Sequence, residues 1–133
     1  MKPFLTTSCM LASLALTACA MAQSTEQLAG GTVVKSGTLR SEGHEVAGTV
    51  SIVEYRGNTY AVLSDDFSFD GAPDPYVGFG NDDKYASDST VAPLNTFEGG
   101  HYYRLPAKID ASAYDDFFIW CQMFSVPLAH ADL

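Results

Sequence analysis

The sequence predicts an all-β chain: a small β-sandwich or barrel-like antiparallel domain behind an N-terminal signal peptide. Three observations lead there. No segment sustains a helical period over about ten residues. Short runs rich in Val, Ile, Thr and aromatic residues recur at short intervals, and Gly, Asn, Asp or Pro stand between them. With 133 residues, one domain is the natural count. A composition 47% hydrophobic and 12% aromatic belongs to a packed chain, not a disordered tail.

Residues 1–22 read as a targeting segment. Lys2 is the charged start, and Phe4 to Leu16 is an apolar stretch of secretory length, too short to span a bilayer. Two processing signals overlap after it. Ala20-Met21-Ala22 would release a chain starting at Gln23, whereas Leu16-Thr17-Ala18-Cys19 resembles a lipobox that would make Cys19 a lipidated first residue. The expectation is an exported protein, either periplasmic or membrane-anchored through lipidated Cys19. Cys9 leaves with the signal and Cys19 is removed or lipidated. Cys121 is then the one free thiol of the mature domain, with no intramolecular disulfide open to it.

Residues 23–31 read as a tether and 32–133 as the domain. Val33 to Arg40 is the first strand, Gly43-His44 a turn, and Val46 to Tyr55 a long strand. Arg56-Gly57-Asn58 is a hairpin turn, and Thr59 to Leu63 returns beside its partner. Ser64 to Pro75, with four aspartates and two prolines, reads as a loop pinned by Phe67 and Phe69. Tyr76 to Phe79 is a short strand, Asn81 to Thr90 a polar and mobile loop, and Val91 to Phe97 returns to the core. His101 to Leu105 is a strand that Pro106 stops. Ser112 to Asp116 reads as a helical turn capped by Ser112. Phe117 to Cys121 and Phe124 to Leu128 are the last strands.

The charge balance, 7 Lys+Arg against 16 Asp+Glu, gives −9 with no basic patch. Nucleic acid and anionic membrane surfaces are thereby excluded as partners, and any membrane association would run through the lipid anchor. The chain shows no Ser-His-Asp arrangement, phosphate loop or paired-acid motif. Asp65, Asp66, Asp70 and Asp74 do not follow EF-hand spacing and read as turn formers. Asp82-Asp83 and Asp115-Asp116 read as solvated loop charges.

The run Phe118-Ile119-Trp120-Cys121-Gln122-Met123-Phe124-Ser125-Val126, ending in Ala131-Asp132-Leu133, resembles the closing signature of the DM13 domain. Ser36-Gly37-Thr38-Leu39, His44 four residues before Gly48, Asp66-Phe67, Gly71-Ala72-Pro73-Asp74 and Tyr103-Arg104-Leu105-Pro106 fit the same pattern. The likeness spans about residues 36–133. It departs from the pattern at Ala72, Pro75, Gly78 and His101. The resemblance implies an extracytoplasmic β-domain that takes part in electron transfer through its cysteine, here Cys121, with a redox partner protein in the envelope.

The residues themselves leave alternatives open. Strand alternation puts Phe117, Ile119 and Cys121 on one face, and Phe118 and Trp120 on the other. Both faces are apolar, so the strand is central or covered on both sides. In that setting Cys121 is either a quiet packing residue in a non-catalytic binding or scaffold module, or a redox group. As a ligand it would hold haem or copper, with His44, His101, His130 and Met123 as possible co-ligands. As a thiol it would form a sulfenic acid or a mixed disulfide with a partner. The absence of C-x-x-C-H argues against covalent haem. Each histidine also has a structural role open to it: His44 as a turn residue, His101 in cross-strand pairing, and His130 in a disordered end.

Overall fold

A computed structural model describes residues 28–133. The expected signal segment 1–22, Cys19 and most of the tether lie outside the described residues. Within the described part of the tether Leu28 is buried, and its carbonyl accepts the Gly31 N–H at 2.9 Å.

Two antiparallel sheets make a sandwich, and no sheet closes into a barrel. The first sheet contains β1 (Thr32–Thr38), β4 (Thr49–Tyr55), β5 (Asn58–Leu63) and β10 (His101–Arg104), in the order β1-β4-β5-β10. The second runs β2 (Arg40–Ser41), β12 (Val126–Asp132), β11 (Asp116–Cys121), β7 (Pro75–Asn81) and β8 (Lys84–Tyr85), with β9 (Ala92–Pro93) also paired to β7. A small ladder, β3 (Val46–Ala47) with β6 (Ser68–Phe69), closes one side.

Local chemistry explains the element boundaries. β4 and β5 are joined by Arg56 and Gly57, both at positive φ, which matches the right-handed twist of a tight hairpin. The long strand expected from Val46 to Tyr55 is broken at Gly48, whose φ is +109°. A Cβ there would lie 2.9 Å from both the Phe67 Cα and the Ser64 Oγ. Only glycine lets the chain turn so close to that loop. The turn expected at Ser112 is a 3₁₀ turn, Ala111–Ala113, and its cap is Asp110, whose carboxylate accepts the Ser112 N–H. The last strand starts at Val126 instead of Phe124, because residues 122–125 form the turn and Ser125 sits at φ +53°.

The polar stretch 81–90 is built, not open. Asp82 and Asp83 make the β7–β8 turn at positive φ. A 3₁₀ turn, Ser87–Ser89, buries Ser89 completely. The Ser89 Oγ accepts the Phe79 N–H at 2.8 Å and has the Phe79 and Ala86 carbonyls at 2.6 Å. Hydrogen bonds of this kind offset the cost of taking a hydroxyl out of water.

The core lies between the sheets. Val50, Ile52, Ala61 and Leu63 come from the first, and Val77, Phe79, Phe117, Ile119, Cys121, Ala129 and Ala131 from the second. Phe67 and Phe69 pin the loop between β5 and β7 from inside, as expected. Each fully buried large side chain contributes roughly 1.5–3 kcal/mol. β11 is central in its sheet, between β12 and β7, and both its faces are covered: Phe117, Ile119 and Cys121 join the core, and Tyr85 packs on Phe118 and Trp120 outside.

Candidate functional site

Cys121 is the last residue of β11, paired with Pro75 on β7 and Val126 on β12. Alternation along β11 holds: Phe117, Ile119 and Cys121 all join the core, and Cys121 is 1% exposed. Its sulfur nevertheless has polar partners. The S–H donates to the Pro73 carbonyl at 3.2 Å, and the Phe124 N–H donates to the sulfur at 3.4 Å. The sulfur is thus held by two backbone groups, one accepting from it and one donating to it.

The turn above the sulfur carries Met123 and Phe124, 63% and 64% exposed, followed by Val126 at 44%. Below it runs the loop from Asp70 to Asp74, with Gly71 and Asp74 at positive φ. The Asp74 carbonyl accepts the Gln122 N–H at 3.0 Å. On its other side this loop is held by His44, whose Nδ1 lies 3.1 Å from the Gly71 carbonyl and 3.5 Å from the Asp70 carboxylate. Cys121 and His44 therefore brace the same loop from two sides.

The other expected ligands go elsewhere. Met123 stands in the turn, largely in solvent. His101 lies in the first sheet, buried against Phe67, with Nδ1 2.9 Å from the Gly99 carbonyl and Nε2 3.0 Å from the Tyr103 hydroxyl. A carbonyl can only accept, so the proton of the neutral ring is on Nδ1, and Nε2 accepts from Tyr103. Burial holds the His101 pKa below its ordinary 6.5, opposed by the bond to Gly99. Burial also pushes the Tyr103 hydroxyl up to about 12, against the hydrogen bond from the Asn95 N–H.

These placements bear on a cofactor. Among the described residues, Cys121 belongs to no group of three or more His, Cys, Asp or Glu side chains with converging donor atoms. Both nitrogens of His101 are engaged and Met123 is turned outward. The set Cys121, His44, His101 and Met123 does not fit a shared copper or haem ligand sphere as it stands.

His130 departs from the disordered end that its position suggests. It lies inside β12, 3% exposed, paired with Phe118 and stacked on that ring at 4.9 Å. Its Nδ1 is 3.0 Å from the Arg40 guanidinium, and its Nε2 is 2.9 Å from Asp116 Oδ1. Arginine only donates, so Nδ1 accepts, and the neutral ring donates from Nε2 to Asp116. Asp83 and Asp132 come within 3.4 Å of the same nitrogen. Asp116 is 3% exposed, not a solvated loop charge, and its other oxygen accepts the Asp83 N–H at 2.8 Å. This cluster sits at the opposite end of β11 from Cys121. The pairing of Phe118 with His130, which puts the imidazole on a covered face, is a long-range register that the sequence does not display.

Between the two ends, rings cover the outer face of the second sheet. Tyr85 stacks on Trp120 at 4.3 Å and meets Phe118 edge-on at 5.8 Å.

A family model described as "Electron transfer DM13" matches residues 38–133. No curated protein and no solved structure matches the chain.

Proposed function

Since the chain belongs to the electron-transfer DM13 family, we propose that Cys121 carries its redox step as a thiol and that the turn between β11 and β12 is where a partner protein reaches it. One observation carries this reading: the turn next to the buried sulfur donates a hydrogen bond to it through the Phe124 N–H, while Met123 and Phe124 of that turn stand exposed. Thiolate is the nucleophilic form, and opening of the turn would bring the sulfur to water, where it can lose its proton.

The step is thiol–disulfide exchange. Cys121 loses its proton to solvent as the turn opens, and its sulfur attacks a disulfide of the partner. A new bond forms from Cys121 to the nearer partner sulfur, the partner's own S–S bond breaks, and the departing thiolate takes up a proton. Burial at rest fits an unpaired thiol kept in an oxidising compartment. The proposal therefore includes export, with the domain free in the periplasm or held by lipidated Cys19.

A second reading, a non-catalytic binding module with Cys121 as core packing, is favoured by the membership of Cys121 in the core cluster. The rate of Cys121 labelling by a soluble disulfide reagent separates the two. Labelling through local opening of the turn, faster than global unfolding allows and insensitive to low urea, is expected. Labelling that tracks global unfolding over the whole urea range would leave Cys121 as packing only.

A further inference from the structure

The turn over Cys121 is the most apolar exposed feature described, and it stands beside an acidic groove. Met123, Phe124 and Val126 project from the turn, and Phe97, 38% exposed, lies against Gly71 in the neighbouring loop. Large exposed apolar side chains gathered in one place mark a contact surface. On the far side of the same loop is a groove of about 450 Å³ whose lining includes Glu45, Asp70 and Glu98. The loop from Asp70 to Asp74 is the shared wall. Asp70 faces the groove and its N–H donates to the Glu45 carbonyl at 3.1 Å, while Pro73 and Asp74 hold Cys121 and Gln122. No Lys or Arg occurs in residues 41–47, 68–74 or 94–100, and the base beside the groove is His44, whose Nδ1 lies 3.5 Å from the Asp70 carboxylate.

We infer that this surface, apolar at the β11–β12 turn and acidic along the Glu45–Asp70–Glu98 groove, docks a basic protein whose contact face is an apolar patch ringed by lysines. The inference rests on the proposed redox role of Cys121 and names its partner's chemistry. Charge complementarity of this kind speeds encounter and sets orientation, and the apolar side chains then supply the short-range contact. Docking would also grip Phe124, the residue whose N–H bonds the sulfur, so engagement and thiol exposure are mechanically linked.

A basic c-type cytochrome serves as the probe, titrated into the isotope-labelled exported form of the protein at low and high salt. Shifts confined to residues 122–126 and to the groove, with affinity falling steeply with salt, are expected. Met123→Ser combined with Phe124→Ser should weaken binding at least ~10-fold, equivalent to about 1.4 kcal/mol. Glu45→Gln with Glu98→Gln should flatten the salt dependence. Cys121→Ser should bind as well as the parent, so a failed redox reading and a failed docking reading stay distinguishable. The inference is overturned if no binding occurs at low salt, or if shifts map to the Asp82–Asp83 end. It is equally overturned if the turn variant binds unchanged, if the turn associates with a second copy of the chain, or if it inserts into neutral phosphatidylcholine vesicles.

Discussion

The Phe124 N–H lies 3.4 Å from the sulfur of Cys121, while the Phe124 ring is the most exposed large hydrophobic side chain among the described residues. One residue thus touches both the most protected reactive atom and the surrounding water. Cys121 is a core residue that is followed directly by a four-residue turn.

The first expectation concerns that bonding. Cys121→Ala leaves the Pro73 carbonyl without its S–H donor and the Phe124 N–H without its acceptor. Such losses cost about 1–3 kcal/mol. Urea denaturation should show a destabilisation in that range, and amide exchange at Phe124 should accelerate. An unchanged Phe124 exchange rate would show that the sulfur does not hold the turn.

At Gly37 the backbone of β1 approaches that of β12 closely. A Cβ added there would lie 1.9 Å from the Asp132 carbonyl oxygen, which is backbone and cannot swing away. Gly37→Ala should force β1 off β12 and cost at least the ~1–3 kcal/mol of ordinary overpacking. Thermal unfolding measures it. A melting temperature equal to the parent's would refute the close approach.

The sequence holds one tryptophan, so the stack on Trp120 has its own optical signal. Tyr85 lies parallel to it, 12° off, at 4.3 Å. Tyr85→Leu removes an aromatic pair worth roughly 0.5–1.5 kcal/mol beyond area burial. The expected result is red-shifted emission and easier quenching by acrylamide. Unaltered emission would mean that Tyr85 does not shield the indole.

His101 gives stability an acid limit. Its folded pKa lies below the ordinary 6.5, chiefly through burial. Between the folded value and 6.5, the unfolded chain binds more protons than the native one. Stability is therefore fully present above about 6.5 and declines as pH falls, until the folded ring also protonates. His101→Gln should flatten the slope of melting temperature against pH just below 6.5, relative to the parent. Parallel curves for the two proteins would contradict the assignment.

Legibility varied with the range of the cause. The turn at Arg56-Gly57 and the buried pins Phe67 and Phe69 follow from chemistry within a few residues, and the alternation along β11 placed Cys121 in the core from the letters alone. The turn at 122–125 reads two residues too short from sequence, because Gln-Met-Phe-Ser contains no glycine, asparagine or proline and Phe124-Ser125 looks like the start of the next strand. Likewise, the burial of Ser89 depends on two carbonyls that no local pattern reveals. The cluster around His130 requires the register Asp116↔Asp132 and Phe118↔His130, together with a turn more than thirty residues earlier. Such long-range pairings leave no trace in hydropathy.

The position of β11 and β12 in the second sheet has a consequence for how the chain is made. These strands, residues 116–132, supply the middle of that sheet, joining β2 on one side to β7 on the other. A nascent chain that has emerged only as far as β10 holds four strands able to pair with one another, but β2 and β7 have nothing between them. Before β11 is made, the first sheet can pair completely while the second can form only its β7–β8–β9 part, and the second sheet is joined up only once the segment bearing the thiol has been synthesised.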